Sequence, residues 1–332
     1  VVDVGKSHFD KVRRFPWYVT LGFALMMILC ASFCSMNFDP EAKFWRAAAR
    51  ERQSDLTETR ERVGDGRLIF LGGGSSCSFS LHPAVLEEVT GIAAVNLGGS
   101  AAMGYRYLTW LATKDAREGD FVILHLEPDI LCRSGAWGSS LAAKVGGFHW
   151  EEQGQRGAFA QEIFENPWRD PLAALKPGAK FLSALTAKIL SGRDLYRYQI
   201  SDLEPHGVLT AHVQQPNADI EPFTPMVQWL DDQASRDLRF LAYYAREKKI
   251  RIFYTLPWEC FEHEALAEQR AEHARYLQKV SQYLPILDDV MMGALSDNSM
   301  FLDTGFHLTP EAGKLRSQLL GEALRRHLEL KE

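Results

Sequence analysis

The stretch RLIFLGGGSSC, residues 67–77, decides the fold. Leu68 to Leu71 are a continuous apolar run, short enough for a strand and without the spacing of a helix. A run apolar at every position is buried on both faces, which is the habit of parallel sheets. Gly72, Gly73 and Gly74 close it. Glycines let the chain turn sharply and bring backbone N–H groups near a ligand. Ser75 and Ser76 then stand at the mouth of a sheet.

The same pattern repeats on either side of short helices. Pro83 to Val89 reads as a helix, IAAVNLGG (92–99) as a second strand, Ala101 to Glu118 as a helix and DFVILHLE (120–127) as a third strand. Residues 130–222 break the alternation with many Gly, Pro and aromatic residues, and read as an insertion or cap with one helical stretch from Leu172 to Leu190. A helix over 232–249, a strand at IRIFYTLP (250–257), a helix from Phe261 to Tyr283 and a short strand at ILDDV after Pro285 follow. The last helix runs from Pro310 to Leu330, with Thr309 as its N-cap. Strands alternating with helices imply right-handed crossovers. The expectation is an α/β fold, a flavodoxin-like doubly wound parallel sheet of about five strands in the order 2-1-3-4-5. Ligands bind such sheets outside the carboxyl ends of the strands.

Composition narrows the class. The 332 residues carry 37 Lys+Arg against 43 Asp+Glu, a net charge of −6, which argues against nucleic acid as a partner. Hydrophobic residues at 46% and charged residues at 24% exclude a disordered chain. Five cysteines without C-x-x-C exclude a structural zinc site and a disulfide-rich scaffold. A mean hydropathy of −0.19 excludes a polytopic membrane protein but hides one local run. That run is FPWYVTLGFALMMILCASFCSMNF (15–38), uncharged and with Trp17 and Tyr18 at one end. About 20 such residues span a bilayer core. Lys6, Lys11, Arg13 and Arg14 precede it, and Lys43, Arg46 and Arg50 follow. The expectation is a single-pass anchor in the inner membrane, with residues 1–14 cytoplasmic. A cleaved signal peptide and a buried core helix are the alternatives. Residues 39–65 read as a juxtamembrane helix, and 66–332 as one extracytoplasmic (periplasmic) domain. There Cys77, Cys132 and Cys260 are odd in number, so at least one stays free or pairs with another chain.

Two segments carry candidate chemistry. Gly74-Ser75-Ser76 lies directly after the first strand. It lacks the lysine of a nucleotide-binding loop, which leaves a capped glycine turn or a nucleophile. Asp303-Thr-Gly-Phe-His307 lies just before the last helix. A serine hydroxyl needs a base to take its proton and a carboxylate to orient that base, and this loop holds both. Alone, a D-x-x-x-H segment is an ordinary turn.

Together with Asn96-Leu-Gly-Gly-Ser-Ala101 after the second strand, these blocks resemble the SGNH/GDSL hydrolase superfamily over about residues 67–127 and 232–330. The single N-terminal anchor and the Gly74-Ser75-Ser76 block are similar to those of envelope-facing members such as the D-alanyl transfer protein, with the polysaccharide O-acetylation proteins similar in concept, and the tail FLDTGFHLTPEAGKLRSQLL resembles that of other membrane-anchored members. The resemblance implies Ser75 as nucleophile, His307 as base and Asp303 as its partner. It implies an oxyanion hole from the Ser75 amide and an amide among Gly98, Gly99 and Ala101. It implies acyl transfer or ester hydrolysis on acyl esters (acetyl foremost) of an envelope or exported polysaccharide, with a multi-span membrane O-acyltransferase as a candidate partner. The alternative is a catalytically silent scaffold of the same fold, within a polysaccharide-modification or secretion complex. Three features depart from the family pattern. Leu126-Glu127-Pro128-Asp129 stands where an Asn is usual, three residues rather than two separate Asp303 from His307, and Gly74 replaces the frequent Asp before the serine. Ser76, Asn96, Glu127 and Trp258 are candidate substrate contacts, and Trp137, Trp150 and Trp168 are aromatic residues of the insertion. His125, inside the third strand, reads as a packed core residue. No cofactor is implied, and the His and Glu residues of the helix after strand four lack metal-ligand spacing.

Overall fold

The computed structural model describes residues 15–30, 39–132, 139–146, 181–192, 196, 198–210, 220–224, 226–287 and 291–329. Residues 15–30 form an apolar helix, α1, whose side chains are all exposed. Among the described residues no helix is long and apolar enough to cross a membrane. Residues 31–38, the rest of the apolar run, lie outside the described residues, as do Trp137, Trp150 and Trp168.

Helix α2 (Pro40–Val63) begins at Asp39, whose carboxylate accepts from the Glu41 and Ala42 amides. Its charged composition and its place after the apolar run suggest a juxtamembrane helix. Yet Phe44, Trp45, Ala48, Arg52, Leu56 and Thr59 recur at intervals near four and are buried against the domain.

Strand β1 (Ile69–Gly73) leads into α3 (Ser75–Ser80) and α4 (Pro83–Thr90), then β2 (Ala94–Asn96), α5 (Gly104–Thr113) and β3 (Phe121–His125). After β3 come α6 (Pro128–Cys132), α7 (Ser139–Gly146), α8 (Phe181–Ser191) and α9 (Asp232–Lys248). Strand β4 (Arg251–Thr255), the two-residue strands β5 (Glu259–Cys260) and β6 (Ala294–Leu295), and helices α10 (Leu266–Val280) and α11 (Pro310–Glu329) complete the described strands and α-helices. The sheet is parallel, with order β2-β1-β3-β4. Among the described residues the expected fifth strand is represented by one parallel bridge between Tyr254 and Ile286, framed by Tyr254 N–H to Pro285 O and Leu287 N–H to Tyr254 O. Residues 288–290 of the expected strand lie outside the described residues.

Alternate side chains of each strand enter opposite layers. Phe70, Val122, Leu124, Ile252 and Tyr254 pack with α5, α9 and α10. Ile69, Leu71, Ile123 and Phe253 pack with Leu86 of α4 and with Leu320 and Leu324 of α11. Both faces are thus covered, which is why the strands carry no polar alternation.

Candidate active site

Register sets the site. Gly73 pairs with His125 across β1 and β3, so Ser75 and Glu127 leave the sheet at the same level. A Cβ on Gly73 would run into the His125 carbonyl, so only glycine lets the two strands end side by side. Ser75 is the first residue of α3, where the amides have no intrahelical acceptor. From Leu68 to Pro83 every residue but Ser75 is buried, so of the serines in this segment it alone reaches solvent.

The loop before α11 brings the base. Leu302 N–H donates to His307 O at 2.8 Å, and Phe301 bridges Leu308 antiparallel. This tight turn absorbs the third residue between Asp303 and His307. Thr309 Oγ1 accepts from the Ala312 amide and caps α11. His307 Nε2 lies 2.9 Å from Ser75 Oγ, and His307 Nδ1 lies 2.7 Å from Asp303 Oδ1. The Asp303 side chain is 1% exposed and that of His307 7%. Phe79 of α3 stacks on the imidazole, with ring centroids 4.2 Å apart at 23°. A ring held flat by an aromatic and fixed at both nitrogens has one productive orientation. Ser75, His307 and Asp303 therefore form the geometry of a nucleophile, a base and an orienting carboxylate. No family model and no curated protein matches this chain.

The other candidate residues are placed differently. The Gly99 amide donates to Gly73 O at 2.8 Å, extending the β1–β2 ladder, and the Gly98 amide donates to Asn96 Oδ1 at 2.9 Å. Neither is available to an oxyanion. The Ser75, Ser100 and Ala101 amides have no hydrogen-bond acceptor among the described residues. Asn96 is buried and spans the loop, its Nδ2 donating to the carbonyls of Cys77 and Leu81, so it is no substrate contact. Trp258 is fully buried beneath the Arg316 guanidinium, 5.6 Å away, and is core rather than a substrate wall. Ser76 is also fully buried, 3.3 Å from His125 Nδ1. Burial and nearby Arg316 hold the His125 imidazole well below its usual range. Cys77 and Cys260 are buried free thiols.

Glu127 is 3% exposed and faces the start of α3 rather than open solvent. Burial raises its carboxyl to about 7, against the opposing hydrogen bonds from the Ser76 side chain and amide. Its Oε2 is buried without a hydrogen-bond partner among the described residues. Glu259 is also buried, and its carboxyl is raised well above the usual range by burial and by Asp129 and Glu127.

Three contributors are not evident from the motifs. Arg52 of α2, buried, donates Nε and Nη2 to Gly207 O at 3.0 and 2.8 Å, and Nη1 to Gly98 O. Its place in an apolar stripe of α2 is the one signal the sequence offers. Phe79 carries no signal beyond its nearness to Ser75. Tyr198 donates to Asp303 Oδ2 at 2.9 Å from within the region read as an insertion. Among the described residues no group of His, Cys, Asp and Glu is arranged to hold a metal ion.

Proposed function

We propose that this chain is a serine-dependent O-acyltransferase or esterase of the SGNH/GDSL type, acting on acyl esters of an envelope or exported polysaccharide. The observation that carries the reading is the continuous contact from Ser75 Oγ through His307 to Asp303, at 2.9 and 2.7 Å. In the proposed reaction Ser75 Oγ bonds to the acyl carbonyl carbon as its proton passes to His307 Nε2. The imidazolium returns that proton to the leaving alkoxide as the ester C–O bond breaks. A sugar hydroxyl or water then takes the acyl group by the reverse sequence. The Ser75 amide and an amide at Ser100 or Ala101 would hold the oxyanion in place of Gly98 and Gly99. The exposed apolar helix α1 and the uncharged run to residue 38 support a membrane anchor; with residues 1–14 in the cytoplasm, the domain that follows the anchor would lie outside it. An anchor would raise the local concentration of a membrane substrate or of a multi-span acyltransferase partner.

Hydrolysis of 4-nitrophenyl acetate by the purified chain tests the acyl chemistry. Ser75→Ala should lower the rate at least about a hundredfold. Equal hydrolysis by both chains contradicts the reading. The engaged amides of Gly98 and Gly99 favour a second reading, a silent scaffold of this fold, which equal rates would support.

A further inference from the structure

The Ser75–His307–Asp303 arrangement depends on a residue outside all three blocks. Asp303 gives Oδ1 to His307 Nδ1 and accepts at Oδ2 from the Tyr198 hydroxyl, 2.9 Å away. The same hydroxyl lies 3.4 Å from His307 Nδ1. A buried carboxylate needs donors on both oxygens, and an O–H donated to a carboxylate is among the stronger hydrogen bonds. Both oxygens of Asp303 are therefore directed, and the side chain cannot rotate without losing one partner.

The Tyr198 ring is held on several sides. Its centroid lies 5.2 Å from Phe79, 5.9 Å from Phe44 and 5.5 Å from Tyr196. Tyr196 in turn accepts from Trp45 Nε1 at 2.9 Å. Phe44 and Trp45 belong to α2, and Phe79 is the ring stacked on His307. A connected set of aromatic rings thus runs from α2 to the Asp303 carboxylate.

We propose that Tyr198 is a positioning residue for the Ser75-directed reaction, its hydroxyl orienting Asp303 and sharing that carboxylate's charge with His307, and its ring set by Phe44 and Tyr196. The inference rests on the reading of Ser75 as a nucleophile. Sharing matters because a carboxylate that serves two donors holds an imidazolium less strongly than one that serves a single donor. Removing the hydroxyl should therefore favour the protonated imidazole and shift the acid limb of the rate profile to higher pH. The charged groups named around this point are those of the described residues packed against it. On the α2 side Asp39 and Glu41 act on Tyr196, and Asp39 is paired with Lys144 of α7 at 2.9 Å. Lys43 of α2 lines the same cleft as Tyr198. The face of α3 is Phe79, and the loop before α11 contributes Asp303 and His307 themselves.

The test is the rate of fluorophosphonate labelling of the full chain between pH 5 and 9, with Ser75→Ala as blank. Tyr198→Phe keeps the ring and removes the hydroxyl. Its maximal rate should fall roughly tenfold, and its acid limb should move up by about half a pH unit or more. A merely structural role would lower the folded fraction without moving that limb. Phe44→Leu keeps every polar group and loosens the ring, and should slow labelling several-fold with the limb unmoved. This second variant decides the case if Tyr198→Phe does not fold, and a wild-type rate from it would then overturn the proposal. A Tyr198→Phe chain with wild-type rate and limb, or with an unmoved limb, overturns this inference alone. Absence of Ser75 labelling in the wild-type chain overturns the nucleophile reading, and this inference with it.

Discussion

The Glu127 carboxylate occupies the space that a side chain on Gly74 would need. A Cβ at residue 74 would lie 2.8 Å from Glu127 Oε2 and 2.9 Å from Oε1. Glu127 therefore accounts for the glycine before Ser75. An aspartate there would bring a second carboxylate against the first, in a buried place where like charges repel strongly. Gly74→Ala should destabilise the chain by about 1–3 kcal/mol, because the buried Glu127 side chain must shift to make room. Adding Glu127→Ala removes the obstacle, so the double variant should be less destabilised than the sum of the singles in denaturant titrations. Strict additivity would show that the two residues do not compete.

Glu127 also predicts a pH dependence of stability. Its folded-state carboxyl is raised from 4.5 to about 7. Between those values the folded chain keeps a proton that the unfolded chain has lost. Its contribution is fully present below 4.5 and is lost as pH rises through about 7. The change amounts to roughly 3 kcal/mol. Glu259, raised by burial, acts in the same direction, whereas His82, His125 and His273, lowered by burial, act oppositely. The difference in unfolding free energy between wild type and Glu127→Gln isolates the Glu127 share. That difference should shift against the wild type by roughly 3 kcal/mol from about pH 4.5 to 8. A difference constant with pH contradicts the assignment.

Arg52 ties α2 to the glycine loop and to Gly207. Burial lowers its guanidinium to about 10, still charged at neutral pH. Arg52→Met leaves two buried carbonyls without these donors and should cost about 3 kcal/mol or more in thermal or denaturant unfolding. Arg52→Lys should recover only part of this, because an ammonium lacks the planar fork that serves both carbonyls. Full rescue by lysine would mean that charge alone, and not the fork, holds the loop.

The sheet was legible because β1, β3 and β4 are apolar at nearly every position and stop at glycine, proline or a polar residue. Ser75, Asp303 and His307 could be singled out for a similar reason, since each follows or precedes a regular element at the sheet's carboxyl end. Which amides beyond β2 are engaged was not legible. Which amide is free depends on the Gly99–Gly73 register and on Asn96 turning inward, and neither leaves a mark in residue type. Trp258 misled because exposure cannot be read from position after a strand, and Arg316, more than fifty residues away, covers it. Helix α2 reads as a juxtamembrane helix because it is charged and follows the apolar run, although its buried stripe is present at near-fourfold spacing. Tyr198 lies outside every regular pattern and became visible through its contact with Asp303 alone.

The central claim is that His307 activates Ser75. Mass-spectrometric mapping of a fluorophosphonate adduct on the folded full chain tests it most directly. The account predicts one adduct on Ser75, absent in Ser75→Ala and formed at least about a hundredfold more slowly in His307→Gln. No adduct on the folded chain between pH 6 and 9, or an adduct on Ser75 whose rate is unchanged in His307→Gln, would contradict it.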